Sequence, residues 1–394
     1  MDIYEKALEL HKKARGKLDI NCSMPLENAE DLALAYTPGV AAPCKEIERD
    51  PKNAYIYTAK SHLVAVVTDG SAVLGLGNIG GAAGMPVMEG KAALFKKFGG
   101  VDAFPICLAT QDTEEIISAV KAIAPTFGGI NLEDIASPKC FEVEERLKKE
   151  LDIPVFHDDQ HGTAVVVTAA LINALKFVKK DIEKVKIIVN GPGAAGTAII
   201  KMLVNSGAKN IVVFDKDGAL YRGKDGLSGH RAMLAEITNP GNEHGTLAES
   251  LAGADVFIGV SVPGVLNADM VRSMAKDAIV FAMANPVPEI DYNVALGAGA
   301  AIVGTGRSDF PNQINNLLAF PGIFRGALDC GAAEINEEMK LAAAKAIAEI
   351  IPEDELRYDR IIPEPFDERV PKSVAAAVAK AAKETGVLRK QNNF

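Results

Sequence analysis

The chain has 394 residues, 48% of them hydrophobic and 24% charged, with a net charge of −10 at pH 7. One core does not sustain that length, so two domains are expected, and the apolar content excludes wholesale disorder. The acidic balance, with no dense Lys/Arg stripe, argues against a nucleic-acid backbone as partner.

Residues 1–19 read as a helix polar on one face, with no basic stretch and apolar run of a signal peptide. A Pro/Gly-rich stretch follows from Pro25 to Pro51. From Leu63, apolar runs alternate with helical segments: Leu63–Thr68, Lys91–Phe98, Ala103–Leu108 and Thr113–Ala124. Such alternation implies βαβ units around a largely parallel sheet. Glu142–Leu151 reads as a charged helix, and Ile153–Phe156 as a short strand ending at His157-Asp158-Asp159. The apolar helix Thr163–Val178 is interrupted by Asn173 and Lys176 and falls short of the about 20 residues of a bilayer span. A buried helix, and no membrane, is the expectation.

The next strand is Val185–Asn190, then a glycine turn, a helix at Ala195–Ser206 and a strand at Asn210–Asp215. Strands at Asp255–Gly259, Ala278–Ala282 and Ala301–Gly304 continue the rhythm of a doubly wound sheet, and helices at Ile335–Ile350 and Lys372–Thr385 close the chain. The fold class is therefore α/β. An N-terminal α/β domain (1–160) precedes a doubly wound, Rossmann-type domain (161–330) and a C-terminal helical segment (331–394). The five cysteines are scattered and never in a CxxC pair, which points away from a disulfide framework or zinc knuckle and toward a reducing cytoplasm.

Gly191-Pro192-Gly193-Ala194-Ala195-Gly196 fits GxGxxG, follows a strand and opens a helix. Gly191 would allow the tight turn, Gly193 the approach of a pyrophosphate, and Gly196 the packing of helix on strand; the helix N-terminus offers free N–H groups to the phosphates. Asp215, 19 residues past Gly196, sits where an acid accepts a ribose hydroxyl and repels a 2′-phosphate. NAD is favoured, although Lys216 beside it is a cation that would pair the phosphate of NADP. A second match, Gly75-Leu76-Gly77-Asn78-Ile79-Gly80, lacks an acid at the right distance and reads as a turn bringing backbone near a ligand.

Two acidic turns stand out: Glu133-Asp134 after Asn131-Leu132, and Asp158-Asp159 within His157-Asp158-Asp159-Gln160-His161. Together they offer the hard oxygen ligands that Mg²⁺ or Mn²⁺ prefers. Each alone fits capping as well, Asn131 as an N-cap and Asp158/Asp159 at the start of the long helix. His157 and His161 are not HExxH and lack a third ligand, so core histidines are the better reading. Tyr36 lies in an exposed turn, and Lys91 is a lysine on a largely apolar helix. The bland alternatives are turn packing and a snorkelling cation.

Taken together, Tyr36-Thr37-Pro38-Gly39-Val40, Val66-Val67-Thr68-Asp69-Gly70 with Leu74-Gly75-Leu76-Gly77, Gly90-Lys91, Leu132-Glu133-Asp134, Phe156–Thr163, Gly191–Gly196, Ala284-Asn285-Pro286, and Asn315-Asn316 before Phe320-Pro321-Gly322 resemble the short prokaryotic malic enzymes. That resemblance, over nearly the whole chain, implies oxidative decarboxylation of malate to pyruvate and CO₂ with hydride transfer to NAD(P). It implies Tyr36 as general acid, Lys91 as general base and Asp158 as support for Lys91. Glu133, Asp134 and Asp159 would hold Mg²⁺ or Mn²⁺. Asn285 and Asn316 would contact substrate and the nicotinamide end of the cofactor, whose phosphates would meet Gly191, Gly193, Ala194, Ala195 and Gly196. One departure is Ala72, where larger members carry an arginine for a malate carboxylate. Tyr36 is far from Lys91 in sequence, so a homodimer with a shared site is expected. The rival readings are a metal-independent amino-acid dehydrogenase and a non-catalytic NAD-sensing module.

Overall fold

The computed structural model describes residues 2–73 and 75–389, so Met1 of the expected first helix, Leu74 of the glycine motif and the end of the C-terminal segment lie outside the described residues. The chain opens with an arm of short helices: α1 (Ile3–Ala14), α2 (Ala29–Ala35), α3 (Ala41–Arg49) and α4 (Ala54–Tyr57). Asp2 and Glu5 form a capping box at the start of α1. The helix expected over 1–19 ends at Ala14, because Arg15 (φ 58°) and Gly16 (φ 106°) turn left-handed and close it.

The first sheet holds β1 (Leu63–Thr68), β2 (Asp102–Cys107), β3 (Gly129–Leu132) and β4 (Val155–His157) in the order β2-β1-β3-β4, all parallel. The crossovers carry α5 (Gly80–Leu94), α6 (Thr113–Ile123) and α7 (Lys139–Glu150). α5 starts eleven residues before the helix expected at Lys91–Phe98 and gives way to a wider turn at Phe95–Gly99. Gly80, Gly81, Gly84 and Pro86 depress the helix propensity of its first half and hide it in the sequence. Lys91 therefore lies in the last turn of its helix, not the first.

The second sheet has the order β10-β9-β8-β5-β6-β7. Its strands are β5 (Lys186–Asn190), β6 (Asn210–Asp215), β7 (Gly218–Ala219), β8 (Val256–Gly259), β9 (Ile279–Ala282) and β10 (Ile302–Thr305), parallel except for the hairpin partner β7. Around it lie α8 (Asp158–Val178), α9 (Ala194–Asn205), α10 (Gly229–Ile237), α11 (Leu247–Leu251), α12 (Ala268–Ser273) and α13 (Tyr292–Gly297). The strand order reverses at β5, which pairs with β6 on one side and β8 on the other; a crevice opens at such a switch point beyond the strand C-termini.

The last helices are α14 (Phe320–Asp329), α15 (Glu337–Ala348) and α16 (Arg369–Glu384). α14 returns to the first sheet, placing the Phe320 and Phe324 rings 4.7 and 5.2 Å from Phe95. α8 is apolar and long enough for a membrane span, but 67% of its apolar window is buried, and it packs between α9 and α15. One apolar core thus joins Val64 and Phe156 of the first sheet to Val165 and Leu171 of α8 and Val189 of β5.

Candidate active site

The two acidic turns are far apart in sequence and adjacent in space for a simple reason. β3 and β4 are neighbouring parallel strands in register at Leu132 and His157, so both chains leave the sheet at the same edge. Glu133 and Asp134 follow one strand; Asp158 and Asp159 follow the other and form the first turn of α8. The positive end of that helix favours the carboxylates. Asp134 has φ 54°, a left-handed conformation that aspartate tolerates, and its backbone N–H donates to Asp159 Oδ2 at 2.8 Å.

One carboxylate oxygen from each of Glu133, Asp134 and Asp159 lies within 4.8 Å of the others. Asn131 is not the helix cap considered from sequence. It ends inside β3, buried, and its Nδ2 donates to Glu133 Oε2 at 2.8 Å.

Lys91, from the last turn of α5, is buried between Glu133 Oε1 at 2.9 Å and Asp158 Oδ2 at 2.5 Å, with the Phe320 ring 4.3 Å from its Nζ. Asn316 Nδ2 also donates to Asp158 Oδ2. Gly162 is required beneath this cluster, because a Cβ there would lie 1.9 Å from Asp158 Oδ1. Burial pushes Asp158 up to about 7, against the pull of Lys91, and Glu133 adds to the rise. Burial likewise raises Glu133, opposed by Lys91 and assisted by Asp159. Burial pulls the lysine the other way, but Asp158 and Glu133 outweigh it and hold the ammonium charged above its usual range. One cation faces an excess of buried carboxylate oxygens, all hard donors. That donor set and charge deficit fit a divalent cation of the Mg²⁺/Mn²⁺ type.

The histidines belong to the packing. The His157 ring is fully buried. His161 has both ring nitrogens engaged, Nε2 by Glu144 at 2.9 Å and Nδ1 by Lys340 Nζ at 3.1 Å, and burial pushes it down to about 4.

The carboxylates open into a cleft of about 420 Å³ walled by Ala72, Asp134, Asp159, Asn285, Asn315 and Asn316 among others. Among the described residues no arginine or lysine lines it. A second cleft of about 640 Å³ is lined by Gly191, Gly193, Asp215, Lys216 and Arg231. Ser137 and Ser261 line both, so the two form one crevice running from the glycine turn to the acidic turns. Ala194 and Ala195, which open α9, line the inner part.

Gly191 has φ 108°, and a Cβ on Gly196 would meet Gly191 O at 1.9 Å. A Cβ on Gly193 would meet nothing within 4 Å, which leaves that face of the turn open to a ligand. Asp215 is nearly buried, with Oδ2 3.2 Å from the Arg231 guanidinium and Oδ1 accepting from Asp217 N–H at 2.7 Å. The second glycine motif is a turn, with Gly75, Gly77 and Gly80 all at positive φ, that leads into α5.

Tyr36 stands apart. It follows α2, its side chain is 67% exposed, and its hydroxyl has no hydrogen bond among the described residues. Two buried carboxylates escaped the sequence reading. Glu289 accepts from Ser261 N–H and Ala284 N–H, both at 2.9 Å, and ties together the loops after β8 and β9 that wall the cleft. Glu144 sits on α7 behind the acidic turn. Its signal was present: Cys140, Val143, Glu144 and Leu147 share the buried helical stripe.

Residues 15–148 match the family model of the malic enzyme N-terminal domain, and residues 160–383 that of the malic enzyme NAD-binding domain. The chain is 60% identical over 390 residues to a bifunctional malic/malolactic enzyme of Bacillus subtilis, covering 99% of this chain and 95% of the relative. A crystal structure of malic enzyme from Pyrococcus horikoshii superposes with a TM-score of 0.95 at 54% identity, covering 99% of this chain and 93% of that one. The NAD-dependent malic enzyme of Thermotoga maritima gives 0.91 at 51% identity, with 95% and 98% covered.

Proposed function

The chain belongs to the malic enzyme family and is an NAD(P)-dependent oxidoreductase that oxidises and decarboxylates malate, and from that premise we propose how its own residues divide the work. The observation that carries the proposal is the register of β3 and β4, which gathers Glu133, Asp134 and Asp159 at one end of a crevice whose other end is the glycine turn. These three residues would hold Mg²⁺ or Mn²⁺. When bound, the cation would supply Lewis-acid polarisation of the substrate and compensation for the clustered carboxylates.

With the charge of Glu133 taken over by a bound cation, Lys91 would release its proton. As the neutral amine it would then take the malate hydroxyl proton as hydride passes from C2 to the nicotinamide, and Asp158 would hold the ammonium so formed through the 2.5 Å contact. The C3–C4 bond then breaks, CO₂ leaves, and its electron pair remains on the enolate of pyruvate. Tyr36 delivers a proton to C3, since a phenol keeps its proton at neutral pH. Asn285 and Asn316 line the cleft where substrate and nicotinamide meet. With Ala72 in place of an arginine and no cation on the described wall, carboxylate recognition falls to amides such as Asn315 and Asn316. Gly191, Gly193 and Gly196 would hold the pyrophosphate, with the Ala194 and Ala195 N–H groups at the helix start offered to it. Asp215 receives the ribose hydroxyls, which favours NAD, while Arg231 and Lys216 keep NADP within reach. Division of the chain at 160/161 places the cut within the first turn of α8. A cytoplasmic setting suits five cysteines that are all free.

Steady-state malate oxidation with NAD and with NADP, each with Mn²⁺ and after chelation, tests the reading. Strong loss on chelation and recovery with Mn²⁺ are expected. Full malate-dependent reduction of NAD in the chelated protein would overturn it.

A homodimer completes the site. Helices α1 to α4 contain no buried residue, yet α1 and α2 expose Ile3, Leu8, Leu10, Leu32 and Leu34, and Tyr36 is exposed just after α2. A second copy covering that arm would bring Tyr36 into its neighbour's cleft. Mixing Tyr36→Phe and Lys91→Ala proteins, each inactive alone, should then restore up to about one quarter of parental activity by random pairing in a twofold dimer. No recovery despite demonstrated subunit exchange would refute the shared site.

A further inference from the structure

The first turn of α8 carries both Asp158 and Asp159, yet its N-cap residue, His157, makes no side-chain capping bond. The turn is gripped from outside. Glu144, 5% exposed on α7, accepts from the backbone N–H of His157 at 3.1 Å, from Gln160 Nε2 at 3.3 Å and from His161 Nε2 at 2.9 Å. Lys148, one turn along α7, pairs with Glu144 Oε1 at 2.8 Å. On the far side of the His161 ring, Lys340 of α15, 1% exposed, places Nζ 3.1 Å from Nδ1 and 2.5 Å from Glu337 Oε1. The imidazole therefore bridges a buried anion from one end of the first domain to a buried cation from the C-terminal helices.

None of these groups borders the cleft, so none touches substrate. Such a network is costly to bury and strongly directional once satisfied. Three of its bonds fall on residues 157, 160 and 161, on either side of the two aspartates. We propose that Glu144 is a positioning residue for the metal site. Its carboxylate fixes the pitch and rotation of the first turn of α8, so that Asp159 faces Glu133 and Asp134 while Asp158 faces Lys91. Lys340, acting through His161, anchors the same turn to α15.

This inference rests on the assignment of Glu133, Asp134 and Asp159 as metal ligands. Outer partners that orient a ligand typically contribute about 10–100-fold in metal affinity. The test is Mn²⁺ binding to the full chain, read by the electron paramagnetic resonance of free Mn²⁺, in the parent, Asp159→Asn, Glu144→Gln and Lys340→Met. NADH binding and thermal melting accompany each. In Glu144→Gln, the Mn²⁺ dissociation constant should rise at least about tenfold with NADH affinity unchanged. The Mn²⁺ concentration for half-maximal malate oxidation should rise in parallel, and excess Mn²⁺ should restore occupancy of the site. Rescue by excess metal separates positioning from general damage. A folded Glu144→Gln protein with parental Mn²⁺ affinity overturns the proposal. If that variant does not fold, Lys340→Met decides: weakened Mn²⁺ binding supports the anchor, and parental binding overturns it. A parent that binds no Mn²⁺, or whose binding survives Asp159→Asn, overturns the metal-site assignment itself, and this inference with it.

Discussion

Gly162→Ala offers the sharpest probe of the Lys91–Asp158 cluster. The new methyl carbon would start 1.9 Å from Asp158 Oδ1, 2.9 Å from its Cγ and 3.1 Å from Asn316 Cβ. A comfortable separation is about 3.5 Å, so the carboxylate must retreat by roughly 1.5 Å or the helix must shift. The other oxygen of that carboxylate is the one that holds Lys91 and Asn316. Overpacking of this kind costs about 1–3 kcal/mol, whereas alanine in place of glycine inside a helix returns about 1 kcal/mol. The net loss of stability is then only about 0–2 kcal/mol, and melting alone is a poor detector. Rate is the better one, because displacing a catalytic group by about 1 Å costs on the order of 100-fold. Malate oxidation at saturating NAD and Mn²⁺ should fall by about two orders of magnitude while NADH binding, which depends on the far end of the crevice, is unchanged. A Gly162→Ala enzyme within about threefold of parental kcat would show that Asp158 does not position Lys91, and would refute the argument.

The glycine turn allows stability and binding to be separated. Gly193→Ala should melt with the parent yet lose NADH affinity measured by fluorescence, because its Cβ meets no protein atom but occupies the face open to the cofactor. Gly196→Ala should lose both, since its Cβ would collide with Gly191 O. Asp215→Ser should raise the NADP-to-NAD ratio of kcat/KM by about tenfold or more, because it removes the anion that opposes a 2′-phosphate and releases Arg231; an unchanged ratio would dismiss Asp215 as a selector. Burial pushes the Cys140 thiol up to about 12, with Glu144 and Asp159 adding to the rise. At pH 8 its reactive thiolate is therefore suppressed. Mass spectrometry after iodoacetamide treatment should find Cys140 intact in native protein and alkylated in urea; rapid native labelling would contradict the packing of α7.

The alternation of apolar runs with helices was enough to read two parallel sheets, because fully buried strands such as Val64–Thr68 and Ile187–Asn190 leave a plain apolar signature. The two-residue β7 has no such signature, and it exists only because β6 offers it a partner. The first half of α5 was illegible for the opposite reason: its glycines and proline contradict helix, and packing on β1 and β2 overrides them. At the site, residue types and motifs named the carboxylates, but only strand register explains why Glu133 and Asp159 meet. Glu144 and Lys340 fall on the buried stripes of α7 and α15, which signals burial, but nothing local names the distant partners that satisfy them. Tyr36 could be named by its motif, while the fold leaves it exposed and off the wall of the cleft.

Asp158 and Asp159 are consecutive residues on a helix, so their side chains leave the axis about 100° apart. Two chemically identical groups, one bond of backbone from each other, thereby serve opposite clients: one looks inward to an ammonium, the other outward to the open crevice. Neither can stand in for its twin: a single-residue insertion just ahead of them would carry Asp158 into the post of Asp159, a deletion would carry Asp159 into the post of Asp158, and in each case the other post would lose its aspartate. The dipeptide is less a local concentration of charge than a compass with two needles, set by the pitch of the helix on which it rides.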